Sequence, residues 1–208
     1  MIIQEDSPNV TEIASDYLKN GKVICFATET VYALACDARS DIAVSSLYQI
    51  KKRDPKKPIA VFVKNLTIAK KFLRFSSLEN KIAESFMPGM ITLILQKKLM
   101  QDNHSGVSLL LNECDDSLGL RIPNHKFCLE LLDTFGGIVA VTSANISNME
   151  PAVSFAEAKE CFQNKVDLII DGGICLYKIA STVLEVKKNE IKILREGLIT
   201  KNQINNLL

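Results

Sequence analysis

Short apolar runs alternate along this chain with segments whose apolar residues recur at helical spacing. That alternation confines the fold to a layered α/β architecture. Val10, Ile13, Ala14, Tyr17 and Leu18 lie on one helical face and Gly21 follows as a stop, so a helix is predicted there. "KVICFA" reads as a strand, and Val44, Leu47 and Tyr48 mark a second helix that Ser40 or Asp41 can cap. "PIAVFVKN" reads as a strand and residues 66–86 as mostly helical. "ITLILQ", "GVSLLLN" and "LGLRIP" read as strands, then "KFCLELLDTF" as a helix and "GIVAVT" as a buried strand. A helix over "SFAEAKECF" leads to the strand "VDLIIDGG". "STVLEVKKNEIKILREG" reads as a hairpin turning near Asn189, and "TKNQINNLL" as a short amphipathic helix. No linker, repeat or low-complexity stretch divides the 208 residues, so one domain over 1–208 with a mixed sheet is expected. Helices do not follow every strand, which argues against a regular doubly wound sheet. Region 99–117 is the least regular and reads as a loop or lid.

Composition excludes several classes. With 47% hydrophobic residues the chain can bury a real core. Lys and Arg number 25 against 24 Asp and Glu, so no whole-surface coat for nucleic acid exists, though one local basic patch can. No apolar run reaches the roughly 20 residues of a membrane span. "MIIQEDSPNV" lacks the basic start and apolar stretch of a secretion signal, so a cytoplasmic location is expected. The six cysteines form no CxxC pair and read as reduced core residues. His104 and His125 are the only histidines, a poor basis for a His-ligated metal or a His-based triad. GxxxxGK[ST], GxGxxG after the first strand and GxSxG are all absent.

Seven stretches place groups where chemistry is expected. "FATETVYALACDA" puts Thr28, Glu29, Thr30 and Tyr32 at a strand end, ahead of a helix, where ligands of α/β proteins usually bind. "KKRDPKK", residues 51–57, closes a helix and has two readings. One is cations complementing the helix dipole, with Asp54-Pro55 ending the helix. The other is an anion clamp in which Lys51 and Arg53 converge on phosphates. "VTSANIS" ends a buried strand in Thr142, Ser143, Asn145 and Ser147, either as a turn cap or as neutral donors beside a ligand. Arg121, inside an apolar strand, either pairs with an acid such as Glu113 or Asp115 or awaits an anionic ligand. "STV" at 181–183 and "LREG" at 194–197 either belong to the hairpin alone or bring a hydroxyl and a guanidinium to the same pocket. Gly172-Gly173 is a turn that lets backbone approach a ligand.

Taken in order, "ATETVYALACDA", "KKRDPKKP", "MPGMITL", "GLRIPNH", "TSANIS", "ASTV" and "LREG" resemble the YrdC-like threonylcarbamoyl-AMP synthases over about residues 7–198. The resemblance implies a twisted open mixed sheet with flanking helices around a basic cavity. It implies synthesis of threonylcarbamoyl-AMP and pyrophosphate from L-threonine, bicarbonate and ATP, with Mg²⁺ on the phosphates. It assigns Lys51, Arg53, Ser143 and Asn145 as catalytic, and these four with Lys57, Ser117 and Arg195 as ATP-binding. It assigns Thr30, Arg121, Val141 and Ser181 to L-threonine. The implied partner is the tRNA-modifying transferase machinery, and a weak tRNA or RNA contact is compatible with a basic cavity. Ala33 and Ala35 stand where the family usually shows Gly, so a left-handed backbone there would be strained. Asp54 follows Arg53 where Pro is usual, and an acid there weakens the local field. "SNMEP" replaces the usual Ser-Gly-x-Pro. The chain is expected in the short, single-domain branch. Two other readings stand beside the synthase: an inactive paralogue that binds nucleotide or amino acid, and an RNA-binding module.

Overall fold

The computed structural model describes residues 1–98, 106–112 and 114–206. Its strands are β1 (Ile2–Gln4), β2 (Ile24–Phe26), β3 (Ala33–Asp37), β4 (Ala60–Phe62), β5 (Ile91–Gln96), β6 (Ser117–Arg121), β7 (Val139–Ser143), β8 (Leu168–Asp171), β9 (Thr182–Lys187) and β10 (Glu190–Arg195). They form one mixed sheet in the order β1-β8-β2-β3-β7-β4-β6-β5-β9-β10. The helices are α1 (Val10–Lys19), α2 (Asp41–Lys51), α3 (Leu66–Phe72), α4 (Ser77–Phe86), α5 (Lys126–Phe135), α6 (Phe155–Phe162) and α7 (Lys201–Asn205).

Side chains alternate across a strand, so each strand feeds two layers. Leu34, Val61, Leu93, Leu120, Ala140 and Leu184 enter one apolar cluster with Val44 and Leu47 of α2, Phe72 of α3, Ile82 of α4 and Phe162 of α6. Ile24, Phe26, Ala33, Ala35, Val139 and Val141 enter the other with Ala14 and Leu18 of α1 and Phe127 and Leu131 of α5. The first cluster runs under β2 to β9, with Ile191 and Ile193 of β10 packed against it. The second, under α1 and α5, draws its strand residues mainly from β2, β3, β7 and β8. Beyond it, that same face of β4, β6, β5 and β9 carries Ala60, Gly119, Arg121, Thr92 and Val183. These line a cavity.

Local chemistry sets the elements that border this cavity. Ser40 is extended and its hydroxyl accepts from Ala43 N–H, which starts α2. Lys52 is left-handed, and Arg53 N–H donates back to the Tyr48 carbonyl, which ends α2 sharply and turns Arg53 out of the helix line. The β9–β10 turn places Lys188 and Asn189 at φ 51 and 62, the two-residue geometry that suits strand twist. In β10, Ile193 faces Leu184 but Arg195 faces Val183, so Leu194 is the extra residue of a bulge.

Several expectations need correction. The "YALACDA" stretch is not a passage from turn to helix: Ala33–Asp37 is strand β3, paired on both sides by β2 and β7. Its small residues have weak strand preference, and two-sided pairing overrides it. Ala33 and Ala35 are therefore in regular strand and not left-handed, so they carry no strain of that kind. "GVSLLLN" is not a strand. Leu109–Leu111 form a 3-10 turn, capped by Ser108, and the Leu111 carbonyl accepts from the Tyr48 hydroxyl and from Ile59 N–H. The 66–86 stretch is mostly helical as expected, in two helices divided where Ser76 and Glu79 form a capping box. β1 was not foreseen, since it pairs only with β8 and one of its three residues is even half-buried. Of the expected loop or lid, residues 99–105 and 113 lie outside the described residues.

Candidate functional site

The turn between β2 and β3 is built on a threonine. Thr28 Oγ1 donates to the Val31 carbonyl at 2.7 Å and accepts the backbone N–H groups of Thr30 and Val31. It also lies 2.8 Å from Thr30 Oγ1. A hydroxyl bonding the backbone two and three residues on replaces the turn's own ladder and fixes where Thr30 points. Thr30 Oγ1 accepts from Arg121 Nη1 at 2.9 Å.

Arg121 ends β6 and is 4% exposed. Its Nε donates to the Gly89 carbonyl at 3.0 Å, and its guanidinium lies 5.4 Å over the Phe62 ring. Its acid partner is Glu29, with Nη2 and Oε1 2.8 Å apart. Neither acid suggested by sequence fills that place: Asp115 accepts from Ser117 Oγ, and Glu113 lies outside the described residues. Glu29, already singled out between the two threonines of the turn, is the partner that sequence reasoning did not assign to Arg121.

The two basic-and-polar motifs are joined by Lys51. Lys51 is 1% exposed, and its ammonium donates to Ser143 O at 2.5 Å, Asn145 O at 3.1 Å and Asn145 Oδ1 at 2.5 Å, with Ser143 Oγ at 3.4 Å. Ser147 N–H returns a bond to the Lys51 carbonyl. Ser143 Oγ donates to Asn145 Oδ1 at 2.7 Å, and Asn145 Nδ2 donates to the Met149 carbonyl. Burial, then the charges of Arg53 and Arg195, push the Lys51 pKa down from its ordinary 10.5 to about 7. Burial lowers that of Arg53 as well.

A cavity of about 370 Å³ lies over the open half of the sheet. Ala60, Gly119, Val141, Ile94 and Val183 make its floor. The floor is tight: a Cβ at Gly119 would come within 3.1 Å of Ala60 Cβ and 3.2 Å of Thr92 Cγ2. Arg53, Lys57, Arg121 and Arg195 reach its walls, and among the described residues no Asp, Glu or His lines it. Arg53 donates to the Lys57 and Pro58 carbonyls, and Lys57 Nζ to Asn148 Oδ1. Arg195, at the exposed rim, is steered by the bulge onto Ser181, donating from Nε at 3.0 Å and Nη2 at 2.9 Å to its carbonyl. Ser181 Oγ meets Thr92 Oγ1 at 2.8 Å.

Of the expected site residues, Thr30, Arg53, Lys57, Arg121, Val141, Ser143, Ser181 and Arg195 line the cavity. Lys51 and Asn145 sit behind Ser143, in the cage just described. Ser117 shares the sheet face of Gly119 and Arg121 but lies at the other end of β6, its hydroxyl on Asp115. Asp54 does not line the cavity; its carboxylate accepts Lys56 N–H in a local turn. Gly172 and Gly173 approach Tyr32 rather than the cavity, exchanging two 3.1 Å bonds with its hydroxyl. Among the described residues no group of three His, Cys, Asp or Glu is placed to hold a metal.

An open-faced sheet whose cavity is walled by guanidinium and hydroxyl groups, with no carboxylate among the described lining residues, defines a protein that takes anionic small molecules. The family model described as "Telomere recombination", the Sua5/YciO/YrdC domain, matches residues 16–197. The chain belongs to that family. A Methanocaldococcus jannaschii relative, provisionally named a threonylcarbamoyl-AMP synthase, is 32% identical over 94% of this chain and 89% of its own. The threonylcarbamoyl-AMP synthase of Mus musculus is 31% identical over 89% of this chain and 66% of its own. Crystalline P. abyssi Sua5 complexed with L-threonine superposes with a TM-score of 0.91 at 27% identity, covering 100% of this chain and 60% of that one. The chain thus spans about two thirds or less of the mouse and P. abyssi proteins.

Proposed function

We propose that this chain makes threonylcarbamoyl-AMP and pyrophosphate from L-threonine, bicarbonate and ATP. The observation that carries this reading is the cavity wall: Arg53, Lys57, Arg121 and Arg195 face one space that no described acid lines. The names of the relatives and the L-threonine in the P. abyssi complex support it.

In this reading Arg121 and Thr30 take the threonine carboxylate, with Val141 and Ser181 shaping the space around it. Arg53, Lys57 and Arg195 take the ATP phosphates. Ser143 offers its hydroxyl to the nucleotide, and Ser117 serves the nucleotide farther along the same sheet face. Lys51 and Asn145 act through Ser143, by fixing the loop that presents it. The threonine amine attacks the carbon of bicarbonate, a C–O bond breaks, and with loss of water an N-carboxylate forms. One of its oxygens attacks the α-phosphorus of ATP, the bond to the β-phosphate oxygen breaks, and pyrophosphate leaves with that electron pair. An anion must approach a polyanion, so the barrier is repulsion and misalignment. Fixed cations and donors lower both without acid–base groups. The described lining residues include no carboxylate for Mg²⁺, and in this reading the ion enters on the nucleotide as part of the substrate. The product, a reactive acyl-adenylate-like anhydride, passes to tRNA-modifying transferase machinery.

Pyrophosphate release from ATP should require both L-threonine and bicarbonate. Arg53→Ala should lower it about 10²–10³-fold, the usual loss for one preorganised donor to a developing anion. Release that ignores both co-substrates, or folded protein that binds ATP and releases nothing, overturns the synthase and favours the binding paralogue.

A further inference from the structure

The cations of the cavity differ in what stands behind them. Among the described residues, Arg53, Lys57 and Arg195 donate to neutral oxygens: the carbonyls of Lys57, Pro58 and Ser181, the Ser181 hydroxyl and the amide of Asn148. Arg121 is the one lining cation that has a carboxylate within ion-pair distance, among the described residues. That carboxylate, Glu29, is 3% exposed and does not line the cavity. Its Oε1 is held from behind by the backbone N–H of Asn124 at 2.9 Å. No hydrogen bond is aligned along the Arg121 Nη2 to Glu29 contact, so the two are joined by charge and not by a directed bond.

We infer that Glu29 is a specificity-determining residue, acting through Arg121 by cancelling its net charge. Resting on the synthase reading, this says how one cavity sorts two anionic substrates. A triphosphate is drawn to uncompensated cations, and close fixed charge dominates that choice in a site of low dielectric. With Glu29 in place, Arg121 keeps the Nη1 group that reaches Thr30 but offers no net charge. It suits a single carboxylate on a zwitterion and is a poor seat for a polyphosphate. Without Glu29, Arg121 becomes a fourth uncompensated cation beside Arg195 and Arg53, and a polyphosphate can spread onto it.

The test is binding competition between L-threonine and inorganic triphosphate, measured by calorimetry on the full chain. Wild-type protein should bind both together, with triphosphate changing the L-threonine affinity less than about twofold. Glu29→Gln keeps the shape and the acceptor for Asn124 N–H but removes the charge. There triphosphate should displace L-threonine, raising its dissociation constant about tenfold or more, and L-threonine KM should rise while ATP KM does not. A role in folding alone would not create competition between two ligands. Folded Glu29→Gln protein that binds both independently overturns the inference. Displacement of L-threonine by triphosphate in the wild type overturns it without any variant, so the inference stays exposed even if Glu29→Gln does not fold. Failure of the synthase reading shows elsewhere, as wild-type pyrophosphate release that does not depend on L-threonine and bicarbonate.

Discussion

Lys51 holds its charge inside a ring of four oxygens, and burial works against that charge while the ring favours it. The two effects give opposite pH responses. The folded-state pKa, about 7, lies below the ordinary 10.5, so the unfolded chain binds this proton more tightly. Stability should therefore rise with pH across that interval, with the full cost present below about 7. Denaturant midpoints taken across the interval check this. Activity should run the other way. As the ammonium loses its proton, the Ser143 and Asn145 carbonyls lose a donor, and kcat/KM for ATP should fall as pH rises through about 7. Lys51→Met should give a rate about 10²-fold lower with that limb absent from its pH profile. At this scale the sequence was legible where a residue broke its surroundings. Arg121 stood out because it interrupts an apolar strand. Its pairing with Glu29 did not, because that depends on how a distant turn folds back over the sheet, and no spacing encodes it.

The last hairpin shows how an element, rather than a side chain, carries function. Its turn at Lys188 and Asn189 and its bulge at Leu194 together decide where Arg195 points. Just beyond, Gly197 sits against the chain that precedes β9. A Cβ there would fall 2.3 Å from the Ala180 carbonyl oxygen and 2.7 Å from Thr182 N. Both are backbone atoms and cannot swing aside. Gly197→Ala should cost about 2–3 kcal/mol in a urea melt and also weaken ATP binding, since Ser181 and Arg195 must move together. An unchanged ATP affinity in folded Gly197→Ala protein would separate the hairpin from the site. Most elements were readable from period: the helical faces, the apolar strands, and the hairpin with its turn near Asn189. The failures have a common cause. β3 is made of small residues and exists because β2 and β7 flank it; Leu109–Leu111 is apolar but forms a tight turn whose Leu111 carbonyl accepts from Tyr48. In both, tertiary surroundings overrode local preference.

The described molecule is a sheet covered on one face from β2 to β9 and on the other only over about half its width. The bare half is the cavity, so ligand completes what helices leave undone. Triphosphate should accordingly raise the melting temperature. At a hundredfold excess over its dissociation constant the gain is about 2.7 kcal/mol, or roughly 5–11 °C for a chain of this size. Arg53→Ala should remove most of that shift, and a shift retained in full would place the anion elsewhere. The layered fold and mixed sheet were legible from alternation alone. The cavity was not, because it depends on which strands lie side by side: β5 and β9 are neighbours although β6, β7 and β8 intervene in sequence. That order has a consequence for synthesis on the ribosome. β9 and β10 are translated after the eight other strands, yet they supply the wall carrying Arg195. Until they emerge, β5 is an uncovered edge and the site lacks a side. A nascent chain halted before the hairpin thus holds the first eight described strands around a cavity that still lacks the Arg195 wall.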